Sequence, residues 1–221
     1  MAHLLHLDSS ARSGSFSREL TGRFAAAWRA GDPDGEYTYR DLAREPVPPI
    51  GQGWTEICDD LLRAGITDPA RYLEAVRTPA QWQAWAVLRP LLTELLAADV
   101  VLIGAPMYNF SVPAALKAWL DQVTFPRMSL PGKRFVVVGA RGGSYRPGAP
   151  RAPYDHHERF LRDFFAGHFG VEHATFVHAE LTNSLVDPAL AGLAGQRRES
   201  YDTAVAELDG VLAELLAGVP R

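Results

Sequence analysis

Five short apolar runs, each trailed by a segment of helical spacing, leave few architectures open to this chain. The clearest run is "DVVLIGAP", Asp99 to Pro106, apolar through its middle and bounded by a charge and a proline. A strand that is apolar at every position is buried on both faces, which happens chiefly in parallel sheets sandwiched by helices. Four further runs match its scale: Leu4–Leu7, the alternating "EYTYRDL" of Glu36–Leu42, "RFVVVGA" of Arg134–Ala140, and Val171–His178. Around them the sequence predicts helices over Arg18–Arg29, over Trp54–Ala98 in two or three pieces, from Pro113 to Val123, over Tyr154–Phe169 and over Asp187–Gly218. The breaks in the second fall near Gly65–Pro69 and at Thr78-Pro79, where a threonine N-cap precedes a proline at the first helical position.

Strands that alternate with helices pair in parallel, because each crossover must carry the chain back to the starting edge of the sheet. Five strands at this spacing fit an α/β, flavodoxin-like, doubly wound parallel sheet of order 2-1-3-4-5, with helices on both faces. The 221 residues suffice for one such domain, 1–221. In open sheets of this kind ligands bind at the carboxyl ends of the strands, around the point where strand order reverses. Those ends are the loops after Leu7, Ala105 and Ala140, and all three are chemically unusual.

Composition removes several function classes. A net charge of -4 leaves no global basic field for nucleic acid or anionic lipid. The apolar run Val100–Ala105 is far too short to span a membrane. The opening "MAHLLHLDSS" has neither a basic region nor a small-residue cleavage site, so no signal peptide is expected and the cytoplasm is the expected compartment. The lone Cys58 rules out an intrachain disulfide and a cysteine-based metal cluster. His156 and His157 are adjacent, point apart on a helix and have no partners that complete a metal set.

The loop after the first strand, "SSARSGSFS", carries hydroxyls at Ser10, Ser15 and Ser17 where a new helix presents free N–H groups. A terminal phosphate is one guest for such a place; the other reading is plain N-capping by Ser15 or Ser17. No Gly-Lys-Ser/Thr follows, and no Gly-x-Gly-x-x-Gly is present there, so a phosphate would be held without lysine, as a mononucleotide such as FMN would allow. The loop after the third strand, "PMYNF" at 106–110, exposes two aromatics where the chain leaves the sheet. They suit a flat apolar ligand, or they are tucked against the core. The loop after the fourth strand offers Gly142 and Gly143, whose missing Cβ atoms let backbone N–H groups come close to a ligand or merely permit a turn.

Taken in order, "DSSARSGSFSREL", "APMYNFSVPAALKAWLD" and "ARGGSYRPG" resemble the three flavin-contacting segments of the FMN-dependent NADH:quinone reductase/azoreductase family, with "RDLAREPVPPI" extending the match. The resemblance implies FMN as cofactor, with Ser10, Ser15, Phe16 and Ser17 around its phosphate. It implies Met107, Tyr108, Asn109 and Phe110 along one side of the isoalloxazine, and Ala140, Arg141, Gly142 and Gly143 at its pyrimidine end. It also implies a homodimer, in which Trp85, Trp119 and the aromatics around Phe164 are candidate interface residues. In that family FMN passes two electrons from NADH or NADPH to a quinone in a ping-pong cycle, and azo compounds fit the same slot.

Two departures stand out. The segment "TFPRMSLPGK", 124–133, is shorter than the family's excursion there, which covers the flavin, so a more open site is expected. In "AGHFG", His168 takes the place of a flavin-facing Phe, either as a proton donor or polar-substrate contact, or as a surface histidine. Both features also suit a dedicated tailoring reductase acting on a quinonoid metabolite. A flavodoxin-type electron carrier is the reading from a different class. A hydrolase is disfavoured, since no Asp-x-Asp, Cys-x5-Arg or Gly-x-Ser-x-Gly accompanies Asp8.

Overall fold

The computed structural model describes residues 1–218. Strands β1 (His3–Asp8), β2 (Glu36–Asp41), β3 (Val100–Gly104), β4 (Arg134–Ala140) and β5 (Thr175–Ala179) form one parallel sheet of order β2-β1-β3-β4-β5. Register runs Leu5 to Val101, Val101 to Phe135 and Val136 to Thr175. Helices α1 (Phe16–Gly31) and α6 (Ala194–Ala217) cover one face; α2 (Gln52–Ala64), α3 (Pro79–Ala97), α4 (Ala114–Val123) and α5 (His156–Phe164) cover the other.

Alternation along each strand divides the core in two. Leu4, Val100, Leu102, Val136 and Val138 meet Leu20, Phe24 and Trp28 of α1 and Leu208 of α6. Leu5, Leu7, Val101, Ile103 and Val137 meet Leu88, Leu92, Leu116 and Leu161 on the other side. Trp85, Trp119 and Phe164, named as candidate interface residues, belong to this second core, at 8%, 0% and 7% exposure.

The helix signals resolve into specific caps. Thr78 and Gln81 form a reciprocal capping box at the start of α3. Gly65 ends α2 in the left-handed region, φ 65°, and a 3-10 segment, Pro69–Ala75, precedes α3. Three expected boundaries move. The helix expected from Tyr154 starts at His156, capped by Asp155, and its last turn, Phe165–Phe169, widens into a π-helix. The fifth strand starts at Thr175 rather than Val171, because Gly170 reverses the chain at φ 67° and Val171 closes onto the Phe165 carbonyl before the sheet is reached. The last helix starts at Ala194; Asp187 caps Ala189 N–H ahead of Pro188 and sets up a 3-10 turn, Pro188–Leu193.

Segment 124–133 is no lid. Phe125, Met128 and Leu130 are buried in the second core, Leu130 N–H donates to the Phe169 carbonyl, and the segment feeds the amino end of β4.

Candidate functional site

Where β1, β3, β4 and β5 end, their loops enclose a cleft of about 240 Å³. Its first wall is the start of α1. Ser15 is extended, φ -117°, and makes no side-chain capping bond to the helix. Its Oγ lies 2.9 Å from Ser17 Oγ, and the first backbone bond into the helix is Glu19 N–H to Ser15 C=O. The N–H groups of Phe16, Ser17 and Arg18 are thus left over by the helix, at the positive end of its dipole. Ser15 holds the N-cap position through its backbone alone, and the two serine hydroxyls bond each other instead of the helix. Ser10 turns its Oγ to the Arg12 N–H at 3.2 Å and so folds the loop back on itself.

The second wall is the loop after β3. Tyr108 and Ser111 exchange backbone hydrogen bonds of 2.9 and 3.0 Å, closing a two-residue turn. The enclosed Asn109 and Phe110 both have positive φ, 49° and 69°, as a type I′ turn demands. Left-handed backbone costs a non-glycine residue roughly 1–2 kcal/mol, so this turn stores strain beside the cleft. Its effect is to split the aromatics. Tyr108 faces the cleft, and its hydroxyl accepts the Ala11 N–H at 3.1 Å, lacing the two loops together. Phe110 turns outward against Tyr154 and Tyr145, ring centroids 5.5 and 6.4 Å away, and stays 41% exposed. Met107 hooks its N–H to the Ala140 carbonyl and joins Tyr108 on the wall; Asn109 and Phe110 do not line it.

The third wall comes from the end of β4. Ala140 and Gly142 line the cleft, and a Cβ on Gly142 would meet the Asn183 side chain at 2.6–2.7 Å. Gly143 packs on Arg151 instead. Arg141 differs from its expected place. Its guanidinium is 3% exposed and points into the protein, with Asp155 at 2.9 Å, Glu158 at 3.3 Å, Glu180 at 3.5 Å and His178 Nε2 at 2.9 Å. A buried cation needs compensating carboxylates, and they lie behind the loop, not in the cleft. Only the Arg141 main chain serves the site: its carbonyl accepts from Thr182 N–H and Oγ1.

A fourth wall was missed by sequence reading. The turn after β5, Thr182–Leu185, puts Thr182, Asn183, Leu185 and, just beyond, Val186 on the cleft. Asn183 N–H bonds the Gly142 carbonyl at 3.2 Å and ties the fourth wall to the third. Leu185 and Val186 are 57% and 71% exposed at its mouth. Two apolar residues just ahead of Asp187-Pro188 were the available signal, because this loop too leaves a carboxyl edge.

His168 lies away from this cleft. Helix α5 starts near that edge, where Glu158 meets Arg141, and runs toward the amino ends of the strands. At 1.5 Å per residue, His168 ends up about 18 Å further on from His156. It is exposed there, its ring 4.8 Å from Phe164, outside the cleft of its own chain.

Behind the third wall the electrostatics are unusual. The His178 hydrogen bond, opposed by burial, leaves the Glu158 carboxyl held down at about 2. Burial lowers His178 despite that carboxylate. Burial, then His178 and Arg141, push His157 down to about 3. His157 is fully buried; the Ala105 carbonyl slightly favours its charged form, but no group completes a hydrogen bond to either ring nitrogen. Cys58 is buried in the second core, and desolvation raises its thiol to about 12, so it is an inert packing residue. Among the described residues no three His, Cys, Asp or Glu side chains are placed to hold a metal, and no helix is long and apolar enough to cross a membrane.

A family model described as flavodoxin-like fold matches residues 2–202. An FMN-dependent NADH:quinone oxidoreductase of Nocardia farcinica is 62% identical over 205 residues, 93% of this chain and 95% of that protein. The chain belongs to this flavodoxin-like family. Another relative within it, the FMN-dependent NADH:quinone oxidoreductase of Streptomyces avermitilis, is 38% identical across 94% of this chain and 95% of its own length. Two solved structures share the family's fold. An azoreductase from Bacillus anthracis str. Sterne superposes with TM-score 0.74 at 22% identity, over 97% of this chain and all of that one. An FMN-dependent NADH-azoreductase from Bacillus anthracis str. Ames Ancestor, in complex with FMN, gives 0.75 at 17% identity, over 97% and 99% of the two chains.

Proposed function

We propose that the chain is an FMN-dependent NAD(P)H oxidoreductase that reduces quinones, and by the same route azo compounds, in a ping-pong cycle, with residues 1–221 acting as one FMN-binding domain. The observation that carries this reading is the uncapped start of α1, opening into the same cleft as Met107, Tyr108 and Gly142. An anion site at one end and an aromatic and glycine-lined slot at the other suit a phosphorylated flat ring. FMN, when bound, supplies the two-electron chemistry between the nicotinamide and the acceptor.

The chain's own residues bind and orient. Ser10, Ser15, Phe16 and Ser17 hold the phosphate with hydroxyls and leftover N–H groups. Met107 and Tyr108 flank the ring, and Ala140, Gly142 and Asn183 close its pyrimidine end with main-chain and amide donors. Asn109 and Phe110 set the turn and the rim, while Gly143 and Arg141 act through the backbone. The exposed apolar rim of Phe110, Tyr154, Leu185 and Val186 supports a homodimer in which a second copy shields the cleft. The two features that suggested a dedicated tailoring reductase, the short 124–133 segment and His168, both lie away from the cleft of this chain.

An absorbance spectrum before and after anaerobic NADH tests the proposal. Flavin absorption near ~450 nm that bleaches with NADH and returns with a quinone is expected. Protein that is colourless and takes up no added FMN would refute it.

A further inference from the structure

Arg18, the third residue of α1, lies 14% exposed beneath the first wall of the cleft. All four of its terminal N–H groups are committed. Nη1 donates to Asp41 Oδ2 at 2.8 Å and to the Tyr39 hydroxyl at 3.2 Å. Nη2 donates to Asp41 Oδ1 at 2.7 Å and to the Ser10 carbonyl at 2.7 Å. Asp8 at the end of β1 stands 3.5 Å from Nη1. Asp41 closes β2 and also accepts the N–H groups of Ala43 and Arg44. Burial opposes its charge, but the Arg18 hydrogen bond and these N–H groups hold its carboxyl below the usual range. One guanidinium therefore ties together the end of β2, the end of β1 and the loop that carries Ser10.

We infer that Arg18 is a positioning residue for the cofactor phosphate, clasping the loop to β2 without touching the anion itself. The inference rests on the FMN reading above. Its four terminal donors are spent, so Arg18 has no fork left to offer a phosphate. It does two other things. It turns the Ser10 carbonyl inward, leaving hydroxyls and N–H groups for the anion, and it neutralises Asp41 and Asp8, which would otherwise repel a dianion nearby. The planar fork matters as much as the charge: a lysine ammonium has three donors for these four bonds and no fork to match both Asp41 oxygens while reaching Ser10 and Tyr39.

The test is titration of the apoprotein with FMN and with riboflavin, which lacks the phosphate, followed by quenching of flavin fluorescence. Arg18→Met is expected to raise the FMN dissociation constant about 10- to 100-fold, by analogy with the loss seen when the partner that orients a metal ligand is removed. Riboflavin affinity should stay within about threefold. Arg18→Lys, which keeps the charge and disturbs packing less, should recover only part of the loss. Equal weakening of both ligands would mean general destabilisation and overturn the inference, as would an unchanged FMN constant. Full recovery by lysine would also overturn it, since bare charge would then suffice. Wild-type protein that binds neither flavin would instead fail the FMN reading itself.

Discussion

Replacing His157 with leucine tests how the ground beneath the cleft is held. The imidazole is fully buried, with neither nitrogen hydrogen-bonded, and faces His178 of β5, Arg141 of the β4 loop and Glu158 beside it. Its proton affinity falls from the ordinary 6.5 to about 3 on folding. The unfolded chain therefore binds a proton below pH 6.5 that the folded chain refuses until about pH 3, so stability rises with pH across that window. At 1.36 kcal/mol per pH unit, the drop from pH 8 to pH 5 attributable to His157 is about 2 kcal/mol. Glu158 is depressed from 4.5 to about 2, so its contribution is lost only below about pH 4.5 and leaves this interval alone. His178 is also lowered and adds a drop of the same sign, in wild type and variant alike. Urea unfolding followed by tryptophan fluorescence at pH 8, 6.5 and 5 reads the difference. The His157→Leu protein should lose about 2 kcal/mol less than wild type between pH 8 and pH 5. At pH 8 it should be at least as stable, because two unpaired nitrogens no longer carry a desolvation cost of roughly 1–3 kcal/mol. A variant with the wild-type pH slope would refute the reasoning.

Gly142→Ala places a methyl where the Asn183 side chain now sits, while the Asn183 backbone stays pinned to the Gly142 carbonyl. The amide must swing away, and FMN affinity should fall about tenfold, ~1.4 kcal/mol, with little change in Tm; unchanged affinity in a flavin titration would remove Asn183 and Gly142 from the site. Tyr108→Phe deletes the acceptor of the Ala11 N–H. Loss of that lacing should cost about 1 kcal/mol, read as a roughly fivefold weaker FMN constant, and wild-type binding would show that the two loops are held by other means.

Strand and helix identity were legible because burial imposes periodicity. Val100 to Ala105 is apolar at every position because both faces of β3 are covered, and Thr78-Pro79 marks α3 through local hydrogen bonding alone. Ser10, Ser15, Phe16, Met107, Tyr108, Ala140 and Gly142, which the family resemblance implied, line one cleft because topology sends every loop after a strand to the same edge; Ser17, named with them, is fully buried and does not line it. Side-chain direction was not legible. Nothing local distinguishes Tyr108, which faces the cleft, from Phe110, which two positive φ angles turn outward. The role of Arg141 depends on Asp155 and Glu158 at the start of α5 and on Glu180 just past β5.

Sequence by itself thus determined the strand order, the edge where the loops gather into a cleft and the chemistry those loops carry. Those follow from short-range pattern and from the geometry of parallel crossovers, which leave few choices. Tertiary structure decided where two of the cations go: Arg141 is drawn inward by three carboxylates, and Arg18 clasps Asp41 across 23 residues of chain. It also carried His168 to the far end of α5 and brought Asn183 onto Gly142. Charges and amides are satisfied by whatever the fold places within about 3 Å of them, and that placement is a property of packed elements rather than of any local stretch of sequence.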